Sequence, residues 1–477
     1  MPKTKKKAKK IEEVLLRKKE SIWKKASKKD IDNFFKYAEG YKKFMKDAKT
    51  ERETVAKVVE LARANGFREL SEIKEMKPGD RFYEVNKEKM VILGVAGKKS
   101  IGEGLNIISA HLDSPRLDLK QLPLYEDGET EIALFKTHYY GGIKKYQWVA
   151  FPLAIHGVVY TKDGKKVTIK IGEKEGDPVF IIPDLLPHLA RNVQGERKLF
   201  DGIKGEELNI IVGSIPVQDE DAKQKVKVAV LDYLNKNYGI VEEDFVSAEL
   251  EAVPAVAPMD SGFDRSFVLA YGQDDRVCVY TALTALMELK KPDRWCLAVF
   301  FDKEEIGSAG NTSATSYFFE NFVAKLCAMC SEHHCGCDVK EVLERSKALS
   351  GDVDAGVDPT YKEVHDLNNA AKMGHGIVLT KYTGVGGKYS ANDAHAEYMG
   401  KVRQIFNKAG VAWQSAELGK VDEGGGGTVS KYLAVYNMDI VDCGPAVLSM
   451  HAPLEVTSKA DLYHTHLAYL AFYENMD

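Results

Sequence analysis

The strongest constraint on the fold is a series of short apolar runs, among them MVILGVAG, LNIISA and WCLAVFF, each bounded by glycine or charge. Runs this short, without polar alternation, read as buried strands. From Ser266 onward such runs alternate with helical patterns. SFVLAYG, WCLAVFF, KALSGDV, IVLTKYTG, VAWQSAEL, YNMDIVDCG and AVLSMHA read as strands, and DRVCVYTALTALMEL and AHAEYMGKVRQIFNKAG as helices. Strand–helix alternation predicts an α/β/α sandwich with a mainly parallel central sheet.

Two other stretches have a different texture. Residues 11–65 place apolar positions at helical spacing and end at Gly66, so a helical stretch is expected there. Residues 119–257 are β-rich. VAFPLAIHGVVY, KVTIKIG and LNIIVGSIPV are separated by turn chemistry such as Lys162-Asp163-Gly164, and DAKQKVKVAVLDYLNKNYG reads as a helix among them. A sheet begun before residue 118 and resumed after 257 makes residues 1–118 and 258–477 one domain, with 119–257 inserted into it.

No stretch approaches about 18 uninterrupted apolar residues, so no transmembrane helix is expected. The net charge of −4 gives no reason to expect nucleic acid as a partner. The basic start MPKTKKKAKK reads as a solvated arm, since no apolar core of a signal peptide follows it. Seven cysteines in a chain with no such signal predict reduced thiols and a cytoplasmic location.

In open α/β sheets, reactive groups collect at the carboxyl ends of strands. LNIISA is followed by His111-Leu112-Asp113, SFVLAYGQ by Asp274 and Asp275, and WCLAVFF by Asp302, Lys303, Glu304 and Glu305. KALSG is followed by Asp352, and AVLSM by His451. Each alone has a plain structural explanation: a turn, an N-cap or a solvated loop. Together, two imidazoles and three carboxylates suit a pair of divalent cations: Zn²⁺, with Co²⁺ and Mn²⁺ as alternatives. Two adjacent glutamates after a buried strand repel each other unless a cation offsets the charge. One would ligate and the other would remain free as a base.

Two further motifs stand apart. Cys327, Cys330, Cys335 and Cys337, with His333 and His334, have the spacing of a further zinc or iron–sulfur site, but buried or surface thiols account for them better. The glycine-rich stretch from Glu423 to Thr428 lacks the ending of a phosphate loop and reads as a tight turn beside a substrate.

The order H-x-D, D-D, E-E-I-G-S, D and M-H-A resembles the M18 aminopeptidases of the aspartyl aminopeptidase and vacuolar aminopeptidase I type. SAHLDSPRLDLK, THYYGGI, PHLARN, FDKEEIGS, SGDVDAGVDPTY, GKYSANDAHAEY and VDCGPAVLSMHAPLEV extend the resemblance over nearly the whole chain, and the later motifs are closest to the bacterial branch. The resemblance implies a dinuclear metal exopeptidase acting on peptides with a free N-terminus. It implies Asp274 as the bridging carboxylate, His111 and Asp352 on one cation, and Glu305 and His451 on the other. Glu304 would be the general base and Asp113 the orienter of His111. His188 would reach the active site of a neighbouring subunit in a homo-oligomer, commonly a tetrahedral dodecamer, with the inserted segment supplying contact surface or a lid. Acid-selective members place a lysine near Gly384–Lys388. Here glycines stand at that spot with Lys388 just beyond, which leaves acidic, neutral and basic N-terminal residues open. A carboxypeptidase or deacylase on the same core, or a binding protein that has lost the chemistry, are the alternatives.

Overall fold

The computed structural model describes residues 11–12, 14–17, 20–219, 221–330, 338–384 and 386–477. Its centre is a nine-stranded sheet. In spatial order the strands are Arg68–Glu69, Arg81–Asn86, Met90–Val95, Trp295–Phe301, Leu105–His111, Lys347–Ser350, Asp439–Gly444, Ile377–Thr380 and Trp413–Ser415. The four strands from Trp295–Phe301 to Asp439–Gly444 run parallel, so their carboxyl ends lie along one edge.

The apolar runs form central strands because both of their faces are covered. Along Trp295–Phe301, Cys296, Ala298 and Phe300 join one core, while Trp295, Leu297, Val299 and Phe301 join the other. This is the two-residue period of a pleated strand. The first core is completed by helices Lys28–Asp47, Glu51–Ala64, Gln273–Glu288, Ala396–Lys408 and Lys459–Asn475, through residues such as Tyr41, Val58, Leu283, Val402 and Tyr469. The second is completed by Phe318–Met329 and Val339–Glu344, through Phe322 and Leu343. Burying one side chain such as Phe300 contributes about 1.5–3 kcal/mol. The architecture is the α/β/α sandwich expected.

The helical stretch expected over 11–65 is interrupted. Helix Lys28–Asp47 starts at a capping box in which Ser27 Oγ accepts from the Asp30 N–H and the Asp30 carboxylate accepts from the Ser27 N–H. Glu51–Ala64 starts at a second one, built by Thr50 and Glu53. Each box satisfies N–H groups that a helix start leaves bare, and so sets a boundary that apolar spacing alone does not reveal.

Residues Arg116–Pro254 supply a second, six-stranded antiparallel sheet: Lys166–Ile171, Leu153–Tyr160, Ala248–Pro254, Arg116–Asp127, Ile132–Tyr140 and Asn209–Gly213. It has its own core, in which Trp148, Ile210 and Phe245 pack, with helix Lys225–Tyr238 set against the sheet. A third sheet of five short strands runs Met259–Ser261, Phe267–Ala270, Glu455–Ser458, Ala446–Leu448 and Asp354–Ala355. It takes SFVLAYG and AVLSMHA out of the main sheet, so the reactive strand ends do not all lie on one sheet edge.

Candidate metal centre

Three neighbouring parallel strands of the main sheet end in His111, in the turn carrying Glu304 and Glu305, and just before Asp352. The small sheet brings in the other two residues. Asp274 follows Phe267–Ala270, and His451 follows Ala446–Leu448. Asp274 and Asp275 are joined by a cis peptide and precede the regular part of their helix. Glu304 and Glu305 open a single 3-10 turn after Lys303, which adopts φ +68°.

Asp274 is the hinge of the site. Its Oδ1 lies 3.1 Å from His111 Nε2, and its Oδ2 lies 3.3 Å from His451 Nε2. Each imidazole is held from behind by a backbone carbonyl: His111 Nδ1 is 2.9 Å from the Asp113 oxygen, and His451 Nδ1 is 2.9 Å from that of Gly142. A carbonyl only accepts, so each Nδ1 carries a proton and each Nε2 turns toward the carboxylates. Glu305 Oε2 is 3.5 Å from His451 Nε2, and Glu304 Oε2 is 3.9 Å from His111 Nε2.

Asp113 is fully buried, and its carboxylate works chiefly on the glutamate turn. It accepts from the Glu304 N–H at 3.1 Å, the Glu305 N–H at 3.2 Å and the Tyr140 hydroxyl at 2.8 Å, while His111 Nδ1 stands 3.5 Å from Oδ1. Glu455, also buried, accepts from the backbone N–H of Asp274 at 3.0 Å and from that of His451 at 2.8 Å. Asp275 accepts from the His111 N–H at 3.2 Å.

The donor set fits divalent cations. Ligand atoms of His111, Asp274 and Glu305 lie within 4.8 Å of one another, as do those of Asp274, Asp275 and Asp352. The two groups share Asp274. Glu305 Oε1 and Asp275 Oδ1 are buried with no hydrogen-bond partner, an arrangement that is costly without a cation. The electrostatics agree. Burial pushes Glu304 up to about 7, and the neighbouring Asp113 and Asp274 add to it. Burial and then Asp274 raise Glu305 well above the carboxylate range, and burial with Asp275 does the same for Asp352. Hydrogen bonding to Asp274, with the charges of Glu305 and Asp274, outweighs burial and raises His451 to about 10. So much buried negative charge holds protons when it has no metal to hold.

The site opens into a cleft of about 400 Å³ lined by Asp274, Glu304, Glu305, Asp352 and His451 and also by Asp354, Thr380 and Asp442. His188 is exposed at the start of helix Pro187–Val193 and lies outside this cleft. Lys388 lines a neighbouring pocket, with its ammonium 2.8 Å from Asp393 and 3.7 Å from the centre of the Tyr382 ring. Of the cysteine cluster, Cys327 is buried in helix Phe318–Met329, while Cys335, Cys337, His333 and His334 lie outside the described residues. Sequence reasoning did not find Tyr140 or Glu455. Both sit inside quoted motifs, THYYGGI and HAPLEV, but act through backbone and carboxylate contacts that no spacing announces.

Comparison with known proteins agrees with this geometry. The pattern of the family described as aminopeptidase I zinc metalloprotease (M18) matches residues 44–473. A probable M18 family aminopeptidase 1 of Clostridium acetobutylicum is 48% identical over 465 residues, covering 97% of this chain and 99% of that protein. The crystal structure of an M18 aminopeptidase from Thermotoga maritima superposes with a TM-score of 0.92 at 47% identity, covering 97% of this chain and all of that one. The S. cerevisiae mApe1 dodecamer shares the fold at 21% identity, with a TM-score of 0.74 over 93% of this chain and 97% of that one. The chain therefore belongs to the M18 family of zinc metalloproteases and is an aminopeptidase, a hydrolase of peptide bonds.

Proposed function

We propose that the enzyme works with two divalent cations, zinc in the first instance, that share Asp274. His111 and Asp352 would complete one cation and Glu305 and His451 the other, with Glu304 as general base. The observation that carries this reading is the placement of one imidazole Nε2 against each oxygen of Asp274. Bound there, the cations supply a Lewis acid for the scissile carbonyl and lower the pKa of water.

This chain's residues do the rest. Glu304, at the cleft wall, takes a proton from the attacking water and hands it to the leaving amine. Asp113 fixes the turn that aims Glu304 by holding its N–H. The acidic wall of Asp274 and Glu305 favours a free α-amino group, which restricts cutting to the N-terminus. Elemental analysis would be expected to find two zinc ions per chain, and a tripeptide would be cleaved only when its N-terminus is free. Equal cleavage of the N-acetylated peptide would favour a deacylase or an endopeptidase instead.

The proposal extends to assembly. Residues 119–257 would form an inserted oligomerisation or lid domain, the chain would assemble as a tetrahedral dodecamer, and His188 would enter a neighbour's cleft. The exposed apolar side chains of Leu186, Leu189, Leu199 and Phe200 support this, as does the dodecamer formed by the structurally similar mApe1. A cytoplasmic location rests on the thiols: Cys278, Cys296 and Cys443 are buried without disulfides. Among the described residues no helix is long and apolar enough to cross a membrane.

A further inference from the structure

The chamber that holds the candidate ligands has a further set of lining residues that the hydrolytic step does not use. Asp354, Thr380, Thr383, Thr428 and Asp442 line it. Asp354 is 2% exposed. Its Oδ2 accepts from the Thr380 hydroxyl at 2.7 Å, and its Oδ1 has no hydrogen-bond partner. Thr383 Oγ1, on the same lining, has none either. Asp442 is buried beside them, with Oδ2 accepting from Ser430 at 3.0 Å, and Ser430 in turn sits 2.6 Å from the Thr428 hydroxyl. The floor is therefore two buried carboxylates whose protein partners are neutral hydroxyls. A buried carboxylate oxygen left open in this way calls for a donor, and a charged donor satisfies it best.

Among the described residues, the only lysine or arginine on the lining is Lys431. Its ammonium is 3.3 Å from exposed Ser390 and 4.9 Å from the Tyr432 ring centre. Lys388 is held by Asp393 in the adjoining pocket. Apart from Lys431, the charge that the chamber offers a substrate side chain is negative.

We infer that this chamber receives the side chain of the substrate's N-terminal residue and selects a cationic one, lysine or arginine, with Asp354 as the specificity-determining residue. The inference rests on the aminopeptidase reading of the neighbouring metal centre. A lysine side chain entering the chamber brings an ammonium whose hydrogens match Asp354 Oδ1 and the hydroxyl of Thr383. Leucine offers no donor there, and aspartate places like charge against the floor.

The test compares kcat/KM of the zinc-loaded enzyme on Lys-, Leu- and Asp-p-nitroanilide. Lysine is expected to exceed leucine by roughly tenfold or more, and aspartate to be the poorest. In Asp354→Asn, which keeps an acceptor for Thr380, the Lys/Leu ratio should fall by about the same factor. A second measurement needs only the natural enzyme. L-lysine should inhibit Leu-anilide turnover at roughly a tenth of the concentration required of L-norleucine, which has the same reach without the ammonium. Equal inhibition by the two, leucine or aspartate as the preferred anilide, or an unchanged Lys/Leu ratio in an active Asp354→Asn would each overturn the inference. Preference for aspartate that disappears in Lys431→Met would assign the chamber to Lys431 and acidic substrates. Cleavage of leucine without preference for lysine sinks the specificity alone, whereas an enzyme that cleaves no anilide loses the aminopeptidase reading as well.

Discussion

In the nine-stranded sheet every side chain of Trp295–Phe301 is buried, and successive residues belong to opposite cores. In the six-stranded sheet, Arg116–Asp127 has exposed and half-buried positions along most of its length. The segment between two of that sheet's strands leaves Leu186 50%, Leu189 60% and Phe200 62% exposed. The central strands of the first sheet complete their burial within one chain; the segment joined to the second leaves large apolar side chains exposed. Large apolar side chains left together on a surface mark a contact to be made. His111, Glu304, Glu305 and Asp352 follow strands of the completed sheet, while His188, proposed to act in a neighbouring subunit, sits on the exposed segment.

That contrast can be broken, and the largest effect is expected at the completed sheet's rim. Glu304→Gln should lower kcat by roughly 10²–10⁴ while leaving zinc content unchanged by elemental analysis. Near-normal turnover would remove Glu304 as the base. Phe300→Ala should destabilise the folded subunit by about 3–5 kcal/mol in denaturant unfolding, because the void lies in a core closed on all sides. A loss well under that would mean the sandwich is less tightly filled than the burial of Phe300 implies.

A smaller effect should appear on acidification. Burial lowers His464 to about 4, and its Nδ1 accepts from the Ala412 N–H at 3.1 Å. The folded form resists protonation that the unfolded chain accepts near 6.5. Stability contributed here is therefore complete above pH 6.5 and lost as pH falls toward 4, on the order of 1–2 kcal/mol. Replacing His464 with Gln should flatten that part of the pH–stability curve, and an unaltered slope would exclude this histidine as its source. The smallest change in a subunit's own stability, within about 0.5 kcal/mol, is expected from Leu189→Glu. Light scattering of that variant should nonetheless show a smaller particle. An undiminished assembly would show that the exposed apolar segment is not part of the contact.

The sandwich and the rim were legible because buried parallel strands are written as local apolar runs, and the residue that stops each run stands where reactive groups collect. His111, Glu304, Glu305 and Asp352 stand together for that reason, and Asp274 and His451 join them from the small sheet. What stayed hidden depends on contacts between distant segments. The assignment of Phe267–Ala270 and Ala446–Leu448 to a separate sheet is decided by pairing with Glu455–Ser458, which no single run encodes. Asp354 stands two residues after Asp352 with no local signal of its own, and only its burial beside Thr380 and Asp442 marks it out. The break between the first two long helices was written in the sequence, as S-x-x-D and T-x-x-E, but apolar spacing outweighed it.

Glu455 lies on the strand between the two that lead to Asp274 and His451, and it grips the main chain of both. One buried carboxylate thus sets the main-chain position of two candidate ligands at once, so loss of Glu455 would disturb both sides of the Asp274 bridge together rather than one ligand alone.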